Sequence, residues 1–275
     1  MIKNGFPASC LKIDSSYTKN KTFDLGLAIA HRFLTEAHPV SSFYNLSLPR
    51  VIGEKRKTDK KVINSSQIAP LSSSILNLKF TIEVEAVKDE AYCVTNCETL
   101  VITINKKFAE MVLTADDDTH HALAFLLGVK LAHEFAHLVM FWMGYGGKKT
   151  SAGFVPKTPP MFMRESGHEW EAETFQGILG HYHKKADIWK FSVLSWQIPY
   201  ESYYPLTNTK FITQFSLSSF YSKCKTDDFF PEVDQDDASS SNSNSALVAF
   251  KSGDVIHSGD TELVPFVSAP CKRDH

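Results

Sequence analysis

The sequence has few cysteines and no surplus of charge of one sign. Its 275 residues include five cysteines, and 29 Lys and Arg stand against 31 Asp and Glu, for a formal net charge of −2. An odd number of scattered cysteines argues against a disulfide framework and favours a reducing compartment. A nearly neutral chain also lacks the concentrated basic surface that nucleic acid or an anionic membrane requires. We therefore expect no nucleic-acid partner and no membrane partner.

Long apolar runs are missing as well. The first ten residues contain no apolar core of signal-peptide length, and no uninterrupted apolar stretch approaches the length that spans a bilayer. These absences predict a cytoplasmic protein. The chain also lacks a Gly-rich phosphate loop and a Gly-x-Ser-x-Gly elbow, which excludes the common nucleotide-binding and serine-hydrolase motifs.

What is present suffices for a folded core. Hydrophobic residues make up 43% of the chain, so we expect a single domain spanning residues 1–275. Residues 234–245 are of low complexity, rich in Ser, Asp and Asn, and predict a disordered segment within it.

Hydrophobic periodicity predicts a mixture of helices and strands. Apolar residues at helical spacing predict helices, residues that alternate or are β-branched predict strands, and a polar, lysine-rich stretch predicts a loop. The predicted helices are residues 23–36, about 120–142 and 165–177, the strands are residues 76–87 and 99–105, and the loop is residues 49–70. We expect an α+β fold in which a small, mostly antiparallel sheet packs on the central helix, followed by a mainly helical C-terminal part.

The segment His133-Glu134-Phe135-Ala136-His137 lies within the predicted central helix. Its two histidines are four residues apart, so both imidazoles lie on one helical face and can bind one metal ion at about 2 Å. Glu134 is placed to contact a water on that ion and to accept its proton when the water attacks a carbonyl. Burying two histidines and a glutamate among apolar neighbours is costly unless something satisfies them, which favours a metal site over hydrogen-bonded core histidines.

A catalytic zinc ion needs a third protein ligand and leaves a fourth position for water. The spacing that would supply a third histidine soon after His137 is absent, because Met140 and Met143 occupy the corresponding positions. A downstream glutamate is the natural alternative. Glu165 is the preferred candidate, Glu169 lies one turn later on the same face, and His168 is a further possibility.

With these residues the chain resembles the gluzincin type of zinc metallopeptidase, which binds zinc through two histidines of one helix and a glutamate of the next. The resemblance covers roughly residues 100–177 and implies a zincin-like fold, one Zn²⁺ ion and a peptide or protein substrate. It implies His133, His137 and Glu165 as ligands, Glu134 as general base, and Glu169 as the acid that orients the first histidine. It also implies that a strand before the active helix binds an extended peptide by edge pairing. Arg164 departs from the family pattern, which has asparagine there, and Gly167 falls in the first turn of the second helix.

Several alternatives remain open from the sequence. The donor to the developing oxyanion is not identified by spacing, and the candidates are Tyr200, Tyr203, Tyr204, His181 and His183. His181 and His183, read as part of a helix, would face different sides and lie at the surface. Two other functions fit the same motif: a non-catalytic zincin-like binding module, and a zinc hydrolase of a non-peptide amide or ester.

Overall fold

The computed structural model describes residues 4–36, 39–43, 65–88, 90–142, 166–175, 178–184, 187–197, 203–206, 256–258 and 261–266. The segment predicted to be disordered, residues 234–245, lies outside the described residues. Arg164 and Glu165 lie outside them as well. A 3-10 turn at Ala8–Cys10 precedes a short helical segment at residues 39–43 and six longer or fully bounded α-helices in the described part of the chain. They are α1 (Ser15–Thr18), α2 (Lys21–Phe33), α3 (Ser65–Leu76), α4 (Lys106–Leu113), α5 (His120–Met140) and α6 (Ser166–Phe175).

A four-stranded sheet precedes and flanks α5. Its strands are β1 (Leu11–Lys12), β2 (Thr81–Glu85), β3 (Cys93–Asn96) and β4 (Val101–Asn105), in the order β1-β2-β4-β3. β1 pairs with β2 and β2 pairs with β4 in parallel, and only β3 runs antiparallel to its neighbour. The prediction of a mostly antiparallel sheet is therefore wrong here. The two strongly patterned strands, β2 and β4, pair in parallel, and the antiparallel pair is formed by the short β3 with β4.

Helix α5 lies at the centre of the core. The predicted helix at residues 23–36 is confirmed as α2, which crosses α5 closely at two glycines. A Cβ on Gly26 would lie 2.7 Å from the Leu127 side chain, and a Cβ on Gly128 would overlap Ile29. Among the described helices, only α5 is long and apolar enough to cross a membrane, but its apolar window is completely buried within the protein, as in the core helix of a soluble protein.

Aromatic side chains hold α6 against this pair of helices. Trp170 and Phe175 of α6 each lie 5.6 Å, ring centroid to centroid, from Phe33 of α2, and Phe175 lies 6.0 Å from Phe125 of α5. The Trp170 indole N–H donates to the backbone carbonyl of Pro39 at 3.2 Å. Because α6 is fixed in this way, its other side chains reach the motif helix in defined positions.

The described residues after α6 form strands, where the sequence predicted mainly helix. The strands are β5 (Ile178–Lys184), β6 (Asp187–Gln197), β7 (Tyr203–Leu206), β8 (Ile256–Ser258) and β9 (Thr261–Phe266). They pair antiparallel in the order β7-β6-β5-β9-β8. The aromatic and β-branched residues of this region suit a pleated surface better than a helix. His181 and His183 accordingly lie on a strand and are buried, so the predicted surface position is wrong.

Candidate metal centre

The motif residues lie together in the buried part of α5. His133, Glu134 and His137 are 6%, 5% and 8% exposed. The ring centroids of His133 and His137 are 5.6 Å apart, with an angle of 62° between the ring planes. This spacing suits an ion bonded to both rings at about 2 Å. The predicted placement of both histidines on one face of one helix is confirmed.

Both histidines are contacted at Nδ1 from α6. His133 donates from Nδ1 to Oε1 of Glu171 at 2.6 Å, and Nδ1 of His137 lies 2.8 Å from Oγ of Ser166. Donation from Nδ1 to a carboxylate fixes the tautomer of His133 so that Nε2 has the lone pair. Nε2 is therefore the nitrogen through which His133 would bind a metal, and the Ser166 contact favours the same atom in His137.

The carboxylate at His133 is Glu171, and not Glu169 as the sequence predicted. The two acids are two positions apart in the sequence, about 200° around a helix, so they do not share the face that meets His133. Glu169 is half-buried and lies elsewhere on α6. The prediction failed because the four-residue spacing was counted from Glu165, whereas the packing of Trp170 and Phe175 sets which acid faces α5.

Glu171 also binds a buried lysine and a backbone amide. Lys130 Nζ lies 2.8 Å from Oε1, and Leu179 N–H donates to Oε2 at 2.7 Å. Lys130 and Glu171 are 2% and 0% exposed at their side chains. Burial alone would raise the pKa of Glu171, but the Lys130 ammonium and the hydrogen bond from His133 outweigh it and lower that pKa to about 2. Glu171 is therefore ionised at neutral pH.

His168 completes a group that could hold a metal ion. Its ring centroid is 4.9 Å from that of His133. One donor atom from each of His133, His168 and Glu171 lies within 4.8 Å of the others, and all three residues are buried. Nitrogen and carboxylate donors suit zinc and other divalent transition metals. The described residues thus contain a buried His/His/Glu group with the donor chemistry of a metal site.

The edge strand β3 contacts the motif helix beside Glu134. Thr95 Oγ1 donates to Oε2 of Glu134 at 2.6 Å, and the Cys97 thiol lies 3.8 Å from the His137 carbonyl oxygen. Burial, followed by the nearby Glu134 charge, raises the pKa of the Cys93 thiol well above its usual value, so this thiol stays protonated. Cys10, Cys93 and Cys97 are free cysteines.

Two of the predicted oxyanion donors can be located in detail. His181 is fully engaged, since Nδ1 lies 2.7 Å from the Tyr92 hydroxyl and Nε2 lies 2.8 Å from the Ile188 carbonyl oxygen. This excludes His181 as an oxyanion donor in the described arrangement. His183 is buried, with its ring centroid 5.9 Å from that of His181. Tyr203 and Tyr204 lie on β7, and Tyr200 is outside the described residues.

Sequence reasoning missed three residues that contact the motif, Glu171, Ser166 and Thr95, and it missed Lys130, which binds Glu171. The position of Lys130 could have been inferred, because a lysine three residues before His133 in an apolar helix lies on the same helical face as that histidine. Ser166 and Glu171 had a partial signal in their nearness to the proposed ligands. Thr95 had none, because its partner is defined only when β3 packs on α5.

A scan against protein-family models, a search of curated proteins and a search of solved structures each found no match to this chain. A functional conclusion must therefore come from the chemistry of these side chains.

Proposed function

We propose that this protein is a zinc-dependent hydrolase that cleaves peptide bonds with water activated by Glu134. One observation supports the proposal above the others: α6 contacts the Nδ1 atoms of both motif histidines, through Glu171 and Ser166. Histidines that bind metals are typically held in this way, because the outer hydrogen bond fixes the tautomer and orients the ring. A hydrogen bond at Nδ1 also suits a buried core histidine, and measurement of the zinc content separates the two cases.

In this proposal His133 and His137 bind zinc through Nε2. The third ligand comes from the start of α6 or the residue before it. Glu165 remains the preferred candidate from the sequence, and the described part of the chain offers His168 beside His133. Glu171 is better suited to orienting His133 than to binding the ion, because its oxygens already accept from Lys130, His133 and the Leu179 amide.

In this proposal Glu134 is the general base, next in sequence to the first ligand, His133. Zinc at this site would lower the pKa of a bound water and polarise the substrate carbonyl. The Glu134 carboxylate would accept the proton of the attacking water and pass it to the leaving amine. The buried surroundings strengthen these interactions, because few water molecules compete for the charges.

Strand β3 supports a peptide as the substrate class. It is the last strand in the order β1-β2-β4-β3, and Thr95 on the strand and Cys97 just after it contact α5 beside Glu134 and His137. An extended peptide paired along that edge would run past the motif residues, with backbone hydrogen bonds providing affinity. The sequence predicted this role for the strand at residues 99–105, but that strand is β4, which lies between β2 and β3.

The proposal is tested by measuring zinc content and peptide cleavage together. Wild type, Glu134→Gln and His133→Ala are assayed for zinc by elemental analysis and for cleavage of a mixed peptide library. Wild type should bind one zinc ion per chain and cleave peptides. Glu134→Gln should keep the zinc and lose at least about 100-fold in turnover, as expected when a general base is removed. His133→Ala should lose both zinc and turnover.

The results separate the competing functions. Full turnover in Glu134→Gln would refute the role of the base. Zinc without cleavage of peptides, amides or esters in the wild type would favour a binding module. A wild type that binds no zinc would refute the metal site itself.

A further inference from the structure

Glu134 has a partner that comes from the sheet, not from its own helix. Thr95 of β3 places Oγ1 2.6 Å from Oε2 of Glu134 and 3.3 Å from the Glu134 carbonyl oxygen. A threonine hydroxyl has one proton to donate. The hydroxyl donates this proton to Oε2, because that oxygen is closer than the carbonyl oxygen and belongs to a carboxylate. The contact is therefore a charge-assisted O–H···O⁻ hydrogen bond.

The geometry of β3 fixes the hydroxyl. Thr95 pairs in register with Ile102 of β4, and the Asn96 side chain closes the turn after it by accepting from the amides of Glu98 and Thr99. Thr95 is β-branched, so its side chain has few rotamers available on a strand. The hydroxyl is therefore presented to Glu134 by a rigid element.

A second contact to α5 follows directly after β3. Cys93 and Thr95 are two positions apart on the strand, so their side chains point to the same face. Thr95 bonds to the Glu134 carboxylate, and Cys97, in the turn after Asn96, contacts the His137 carbonyl oxygen, so the end of β3 and the turn after it meet α5 along the motif.

We propose that Thr95 is a positioning residue for catalysis, which holds Oε2 of Glu134 and so assigns proton transfer to Oε1. This inference rests on the proposed function of Glu134 as general base. A carboxylate on a flexible side chain has several rotamers, and a displacement of about 1 Å in a catalytic group can cost on the order of 100-fold in rate. Because β3 is also the proposed substrate edge, Thr95 would fix the base relative to the bound peptide.

The test compares Thr95→Val, Thr95→Ser and the control Thr103→Val. Valine keeps the shape of threonine and removes the hydroxyl, and serine keeps the hydroxyl. Thr103 of β4 donates to Oε1 of Glu83 at 3.0 Å, so its valine variant removes a threonine-to-glutamate bond from the same sheet away from the site.

Kinetics are measured with the best peptide found in the library. We expect Thr95→Val to lower kcat by about 10- to 100-fold with KM within about threefold. Thr95→Ser should recover most of that kcat, and Thr103→Val should match the wild type. All variants should bind zinc as the wild type does. Unchanged kcat in Thr95→Val, or a loss equal in Thr103→Val, would overturn the inference.

Crystal structures of the same variants give a readout that does not depend on turnover. The Glu134 carboxylate should move or take several conformations in Thr95→Val and return to one in Thr95→Ser. An unmoved, single conformation in Thr95→Val would overturn the positioning role. If the wild type cleaves nothing, the proposed function fails, while these structures still decide whether Thr95 positions Glu134.

Discussion

Among single residues, Gly167 sets how closely α6 approaches the motif helix. A Cβ built on this glycine would overlap Cδ2 and Nε2 of the His133 ring. Any side chain here would push the ring away or move α6 outward. The glycine in the first turn of α6, a departure from the expected family pattern, is thus explained by the close contact that brings Ser166 and Glu171 to the two histidines.

We predict that Gly167→Ala weakens zinc binding by about tenfold or more, because the methyl group displaces the His133 ring, which is a zinc ligand in the proposed function. Its overpacking should also lower the free energy of unfolding by about 1–3 kcal/mol. Gly128→Ala is the matched control, since its methyl group would overlap Ile29 between α2 and α5, away from the motif side chains. The control should lose similar stability and bind zinc normally. Isothermal titration with zinc and urea unfolding measure the two effects, and equal zinc affinity in both variants would disprove the proposed contact.

The sequence predicts some of the site residues and misses others for clear physical reasons. His133, Glu134 and His137 follow from helical spacing alone, because their relative placement depends only on the period of one helix. Glu171 requires the rotation of α6 about its axis, which is set by distant aromatic packing. Thr95 requires the register of a strand against a helix, and no local pattern encodes that register.

At the scale of secondary-structure elements, the buried ion pair between Lys130 and Glu171 links α5, α6 and β5. Lys130 of α5 binds Glu171 of α6, and Glu171 accepts from the backbone of Leu179 at the start of β5. Lys130 also lies 5.4 Å from the centroid of the Tyr92 ring. A buried pair of this kind is costly to desolvate, so its removal from one side leaves an uncompensated charge.

We predict that Lys130→Met lowers the free energy of unfolding by about 3–5 kcal/mol, because Glu171 would remain buried and charged without its cation. Lys21→Met is the control: Lys21 bonds to Asp117 at 2.7 Å, but both side chains are exposed. Solvent screens that pair, so its loss should have little or no measurable effect. Urea unfolding at pH 7 measures both variants. Similar losses in the two would show that burial does not determine the strength of the Lys130 pair.

The secondary-structure elements that could be predicted are those with long, regular patterns. α2 and α5 were found because their apolar faces repeat over many residues, and β2 because its residues alternate. β3 has four residues, too few for a period to be recognised. β5 contains two histidines and a tyrosine, whose polar groups hide the alternation that would indicate a strand. Strand order is set by contacts between distant segments, so the parallel pairing of β2 with β4 could not be read from either strand.

Over the whole molecule, α5 packs against strands of both sheets and so connects the candidate site to the five-stranded sheet that follows α6. Buried polar groups continue from the His133 region through Lys130 and Tyr92 to His181 on β5. Burial, followed by the nearby Glu171 charge, raises the pKa of the Tyr92 hydroxyl well above its usual value, so it stays protonated and donates to Nδ1 of His181. The His181 ring is neutral, since Nε2 donates to the Ile188 carbonyl.

This arrangement predicts that acid destabilises the protein before its carboxylates are protonated. Burial lowers the pKa of His181 from 6.5 to about 3, and the charges of His183 and Lys130 act in the same direction. The stabilising effect of a lowered pKa is complete above the unfolded value of about 6.5 and is lost as the pH falls towards the folded value. Glu171, with a folded pKa of about 2 against 4.5, adds the same trend only below about pH 4.5.

Between pH 6.5 and 5, His181 should therefore reduce the free energy of unfolding by up to about 1.4 kcal/mol per pH unit. His181→Gln cannot be protonated in this range, so its stability should vary less steeply with pH, even though the variant starts lower after losing two hydrogen bonds. His120→Gln is the control, because burial lowers the pKa of His120 as well but that ring is partly exposed. Urea unfolding at pH 7, 6 and 5 gives the slopes. If His181→Gln keeps the wild-type slope, His181 is not held neutral by the fold.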